Sequence, residues 1–116
     1  MENKNKELLL KKIDELIELI KQSNDYKRYI ELKDKMKSNK SIMSLISKIK
    51  KEEQSLVKKE YYKEDTFKEK EKIKELKSQL ESYPIYNEYI FLQEDLNNLF
   101  QNIKAIIESS IKKINS

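Results

Sequence analysis

The run PIYNEYIFLQEDLNNLFQNIKAIIESSIKK, residues 84–113, decides how this chain folds. Within it Tyr86, Tyr89, Ile90, Leu96, Leu99, Phe100, Ile103, Ile106, Ile107 and Ile111, followed by Ile114, recur every three or four residues, with one longer step from Ile90 to Leu96. That period marks one face of an amphipathic α-helix. About 30 residues at 1.5 Å each make a rod of roughly 45 Å. A single globule of 116 residues is shorter than that, so one protomer cannot cover the whole stripe, and its length argues for a helical partner. Pro84 marks the start: it disfavours helical geometry at Tyr83 and suits the first turn of the helix that it opens.

The segments before Pro84 carry the same period. From about Asn5 to Gln22, Leu9, Ile13, Leu16, Ile17 and Ile20 form one helical face, and Glu7 and Lys11 stand one turn apart on the outside. Ser23-Asn24-Asp25 are good N-cap residues, so a break falls there. A second segment runs to about Lys37 with Tyr26, Tyr29, Ile30, Leu32 and Met36 turned inward. Periodicity alone leaves open whether these two are separate helices or one kinked helix. Ser38-Asn39-Lys40-Ser41 is the next cap-like cluster, and a third segment carries Ile42, Leu45, Ile46, Ile49, Leu56 and Val57. Glu64-Asp65-Thr66 is a weakly marked turn, because no Gly serves it, and a continuous long helix through it is the competing reading. Beyond it Phe67, Ile73, Leu76 and Leu80 suggest another helix, with Glu69–Lys72 and Glu71–Lys74 as pairs on its exposed side. The expected fold is all-α: one domain over residues 1–116, an antiparallel bundle of three to five helices with a long C-terminal helix.

Composition excludes much chemistry. The chain has no Gly, Cys, His or Trp and a single Pro. Without Cys and His it lacks the usual zinc ligands, cluster-holding thiolates, disulfides and Ser–His or Cys–His nucleophile pairs. Without Gly there is no phosphate-cradling loop. Neighbouring carboxylates at Glu52-Glu53, Glu64-Asp65 and Glu94-Asp95 point about 100° apart on a helix and do not converge. No catalytic residue, metal or cofactor is expected.

Net charge is +4, unevenly spread. Residues 1–47 and residues 48–77 each hold 11 basic and 8 acidic groups, whereas residues 78–116 hold 3 and 5. Lys48 to Lys77, with Tyr61, Tyr62 and Phe67 as stacking groups, is the segment a direct RNA-binding protein would use. Against that, 24 of the 25 basic groups are Lys, and bidentate phosphate or base reading prefers Arg. The acids are also interleaved, which reads as a solvated helix face. The polar side of the last helix bears Glu88, Glu94, Asp95 and Glu108, which anionic lipid repels. No stretch approaches the roughly 20 apolar residues of a membrane span, and the run Leu8-Leu9-Leu10 is too short for a signal peptide. A cytoplasmic location is expected.

Two stretches echo one another at a shift of 60. In Ser23-Asn24-Asp25-Tyr26-Lys27-Arg28-Tyr29-Ile30-Glu31-Leu32 and Tyr83-Pro84-Ile85-Tyr86-Asn87-Glu88-Tyr89-Ile90-Phe91-Leu92, the Tyr, Tyr, Ile and Leu positions coincide. At these residues the chain resembles the YlbF/YmcA family of small helical bacterial proteins. The resemblance rests on the N-terminal amphipathic segment ending in Ser23-x-x-Tyr26-x-x-Tyr29, on Asn39 to Gln54 with Leu45-Ile46, and on Tyr83-Pro84-Ile85-x-x-x-Tyr89 leading into the striped final helix. It covers about residues 8–114.

The resemblance implies an all-helical subunit that dimerises by intertwining long helices and regulates without catalysis. It implies complexes with family paralogues and a PSP1-domain protein. Through RNase Y, these would affect messenger-RNA processing and hence competence, sporulation and biofilm formation. Two features depart from the family: the absence of Cys, which removes any iron–sulfur role, and the absence of the usual Gly-containing middle loop. The expected homo-oligomer surface is Leu96, Leu99, Phe100, Ile103, Ile106, Ile107 and Ile111. Tyr26, Tyr29, Tyr83, Tyr86 and Tyr89 are candidates for partner contact, since Tyr offers rigid apolar area with one polar tip. The expected function is that of an adaptor acting by protein–protein contact. Direct RNA binding and a purely structural assembly module are the alternatives.

Overall fold

In the computed structural model, which describes residues 2–115 and side chains from Lys4 onward, five helices succeed one another. They are α1 (Glu2–Gln22), α2 (Asn24–Lys37), α3 (Lys40–Tyr61), α4 (Phe67–Glu81) and α5 (Pro84–Asn115). The all-α class and the long last helix agree with the sequence pattern.

Each break has a local cause. The Ser23 hydroxyl donates to the Ile20 carbonyl at 2.6 Å and accepts from the Tyr26 N–H at 3.2 Å. One residue thus ends α1 and caps α2, so these are two helices and not one kinked rod. Asn39 takes an extended conformation, and its side-chain oxygen accepts from the Ile42 N–H at 3.0 Å, the usual N-cap geometry. Between α3 and α4 the chain turns at Lys63, whose φ of 56° lies in the left-handed region. The Glu64 N–H reaches back to the Lys59 carbonyl at 2.9 Å and the Lys63 N–H to Glu60 at 3.1 Å, so the last carbonyls of α3 are satisfied. The Asp65 carboxylate accepts from the Phe67 N–H at 3.1 Å and opens α4. Tyr83, just before Pro84, offers its carbonyl to the first turn of α5.

The chain divides into two compact units, residues 31–89 and residues 1–30 with 90–116. In the first of these, α3 and α4 lie against each other. Ion pairs join Glu52 to Lys72 (3.3 Å), Glu53 to Lys77 (3.8 Å) and Lys59 to Glu69, which fixes an antiparallel hairpin. Met36, Ile42, Leu45, Ile49, Leu76 and Leu80 form a buried cluster, with Ile46, Tyr83, Ile85, Tyr86 and Tyr89 packed on it. In the other unit Ile20, Leu92 and Leu96 are buried.

Three sequence expectations need correction. Glu69 is buried, 8% exposed, and pairs with Lys59 across the hairpin, while Lys72 turns to Glu52. The reason is spacing: Glu69 stands four residues before Ile73 on the stripe that Leu76 and Leu80 continue. Val57, 64% exposed, projects from α3 to solvent, because Leu56 takes the half-buried position beside it. Ile30 lies at the surface of α2, whose inward face is held by Leu32 and Met36.

Candidate interaction surface

The strip of α5 singled out from sequence is only partly covered within the protomer. Leu96 is buried, and Ile103 and Ile107 are half-buried. Leu99, Phe100, Ile106 and Ile111 are exposed, Ile106 to 65%. In the same unit α1 leaves Leu8, Leu10, Leu16, Ile17 and Leu19 in contact with solvent. Soluble monomers seldom leave so many large aliphatic groups bare along helices, and contiguous apolar exposure marks interaction surfaces. The sequence stripe on α1 did not include Leu8, Leu10 or Leu19. Its run Leu8-Leu9-Leu10 necessarily places apolar groups outside any single helical face, which is the signal that would have found them.

The five candidate tyrosines fall into the two units. Tyr26 and Tyr29, with ring centroids 6.5 Å apart, open α2. Together with Gln93, Leu96, Asn97 and Phe100 of α5 they line a cavity of about 190 Å³. Serine capping of α2 fixes the helical phase of Tyr26 and Tyr29, and so holds this wall in place. Tyr83, Tyr86 and Tyr89 instead pack on the hydrophobic cluster of the hairpin unit. There, burial pushes the Tyr86 phenol above its usual pKa, with Glu81 adding to the shift.

The hairpin tip presents a different surface. Tyr61 and Tyr62 meet edge to face at 5.1 Å and are 80% and 63% exposed, with Phe67 at 66%. Below them the Lys59 ammonium holds one oxygen of Glu69, while the other oxygen is buried without a hydrogen bond. The pairing pushes the Glu69 carboxyl below its usual pKa and the Lys59 ammonium above its own.

Among the described residues no group of three or more potential ligand side chains is placed to hold a metal ion, and no helix is long and apolar enough to cross a membrane. The arrangement offers apolar grooves and aromatic edges, the means of binding other protein surfaces.

No curated protein and no solved structure matches the chain. A family model does: that described as "Control of competence regulator ComK, YlbF/YmcA" matches residues 9–112, nearly the whole length. With its five helices and its long striped final rod, the chain belongs to the YlbF/YmcA family of competence-control proteins.

Proposed function

We propose that this protein is a non-catalytic cytoplasmic regulator that works by protein–protein contact, as a self-associated helical subunit. Its target in this reading is the RNA-processing machinery, with RNase Y, a PSP1-domain protein and family paralogues as partners. The observation that carries it is the bare apolar strip Leu99, Phe100, Ile106 and Ile111 along α5. Burying a Leu or Ile side chain fully contributes roughly 1.5–3 kcal/mol, so a few such residues suffice to hold a second helix. Membership in a regulatory family supports the same reading.

Ile106→Asp tests it. In a lone protomer this position is 65% exposed, and a charge there leaves folding nearly unchanged. At an interface the same charge is desolvated without a partner. Sedimentation is expected to show an oligomer for the parent chain and a protomer for the variant, with equal helical circular dichroism. An unchanged oligomer, or a parent chain that is already monomeric, defeats the reading. A pull-down from the native cell then separates the targets. Recovery of a ribonuclease or of paralogues supports an adaptor, and nuclease-sensitive recovery of RNA replaces it with direct RNA binding.

A further inference from the structure

The acids of α3 all lie on one side of it. At about 100° per residue, Glu52, Glu53 and Glu60 fall in the same arc of about 100° as the buried Ile42, Leu45 and Ile49. Glu52 and Glu53 pair across the hairpin with Lys72 and Lys77. The consequence is an outward face with charge of one sign. Lys40, Lys50, Lys51 and Lys58 are exposed there and enter none of those pairs, and no carboxylate of α3 shares the face. A face that merely stays solvated carries both signs. The outward side of α4 is of that kind: Glu71 and Glu75 stand among Lys68 and Lys74, all of them exposed.

Apolar groups lie among the lysines of α3. Met43, Val57 and Tyr61 are exposed, and with Lys50 they follow one line along the helix, within an arc of about 40°. Lys40, Lys51 and Lys58 run beside that line, about a quarter turn further round, with Ser47 and Gln54 between. Met43 and Tyr61 stand 18 residues apart, which makes the line about 27 Å long. Exposed apolar groups in a row, with cations along them, suit an amphipathic helix whose polar side carries carboxylates. A nucleic acid fits less well. Every cation is Lys, where bidentate phosphate contact favours Arg, and Met43 and Val57 offer nothing to a phosphate backbone. A lipid surface also fits less well, because Ser47 and Gln54 interrupt the apolar arc that would enter it.

We infer that the outward face of α3, with Met43, Val57 and Tyr61 as anchors and Lys50, Lys51 and Lys58 as charge partners, docks an acidic amphipathic helix of another protein, about five turns long. This goes beyond the self-association proposed above and does not depend on it, since α3 belongs to the hairpin unit.

The probe is a labelled helical peptide of about 18 residues, with Leu on one face and Glu on the others, titrated with the full chain and read by fluorescence anisotropy. Two double variants at exposed positions are compared: Lys51→Glu with Lys58→Glu on α3, and Lys70→Glu with Lys74→Glu on α4. Both change the net charge equally. The α3 pair is expected to weaken binding about tenfold and the α4 pair less than about twofold, because contact charges act at short range in physiological salt. Val57→Ser is expected to weaken it about threefold at unchanged charge, through loss of an apolar anchor. Circular dichroism and sedimentation of every variant are expected to match the parent chain, which keeps this result separate from self-association. Equal weakening by the two pairs would show attraction to net charge alone and overturn the inference, as would a parent chain that does not bind the peptide. Binding of oligouridine or of phosphatidylglycerol vesicles through Lys51 and Lys58, in place of the peptide, would overturn it in favour of RNA or lipid.

Discussion

Glu69 shows how one side chain can serve position and charge at once. It occupies a stripe position on α4, yet it is a carboxylate, and it is tolerated there because Lys59 crosses from α3 to hold one of its oxygens. A buried carboxylate with one oxygen left without a hydrogen bond persists only where its charge is compensated. The pairing lowers the folded-state pKa of Glu69 beneath its ordinary 4.5. The linkage therefore has a definite sign: the stabilisation is fully present above the ordinary carboxylate pKa and is lost as pH falls through the lowered folded value. Glu69→Gln is accordingly expected to lower the denaturation midpoint at neutral pH. The gap to the parent chain then narrows in strong acid, once the parent's own carboxyl is protonated. A gap of equal size at both pH values would assign the effect to shape and not to charge. The sequence could not reveal this pairing, because Glu69–Lys72 at i,i+3 is equally satisfactory on a lone helix. Only the antiparallel approach of α3 decides for Lys59.

The helices themselves are readable from periodicity and caps. Ser23, Asn39 and Pro84 each stand where a helix starts or stops, and each does so by a local hydrogen bond or a fixed φ that needs no tertiary context. The exposed Val57 and Ile30 are not readable, since a stripe of adjacent apolar residues does not say which neighbour takes the inner position. The α3–α4 turn lies between these cases. Glu64 to Thr66 mark its place, but the left-handed residue Lys63 has no glycine to announce it. A non-glycine residue in that region carries a backbone cost of roughly 1–2 kcal/mol. Lys63→Gly relieves that cost, while the freer unfolded chain takes back part of the gain. The net expectation is a hairpin more stable by about 0.5–1 kcal/mol in urea titration. A loss of stability would mean that the Lys63 side chain contributes more than its backbone costs.

At the level of the molecule, each unit answers the covering problem in its own way. Residues 31–89 close a cluster from Met36 to Leu80 under the tyrosines of α5, and the ion pairs along α3 and α4 seal its flank. Residues 1–30 with 90–116 bury Ile20, Leu92 and Leu96 and leave Leu10, Leu19, Phe100 and Ile106 bare. Sequence length and stripe already point to this shortage, whereas the cavity of Tyr26 and Tyr29 with α5 needs the three-dimensional meeting of two distant segments. If a second copy supplies the missing cover, folding and association are one equilibrium, and stability depends on protein concentration by mass action. A tenfold rise in concentration adds about 1.4 kcal/mol per dimer. Spread over the unfolding entropy of two chains of this length, that raises the melting midpoint by roughly 3 °C. Scanning calorimetry over a hundredfold concentration range is expected to show a steady climb of about twice that. A midpoint that stays fixed would mean that the strip on α5 contributes nothing to the folded state through another copy. Its exposed residues would then be held in reserve for a different protein.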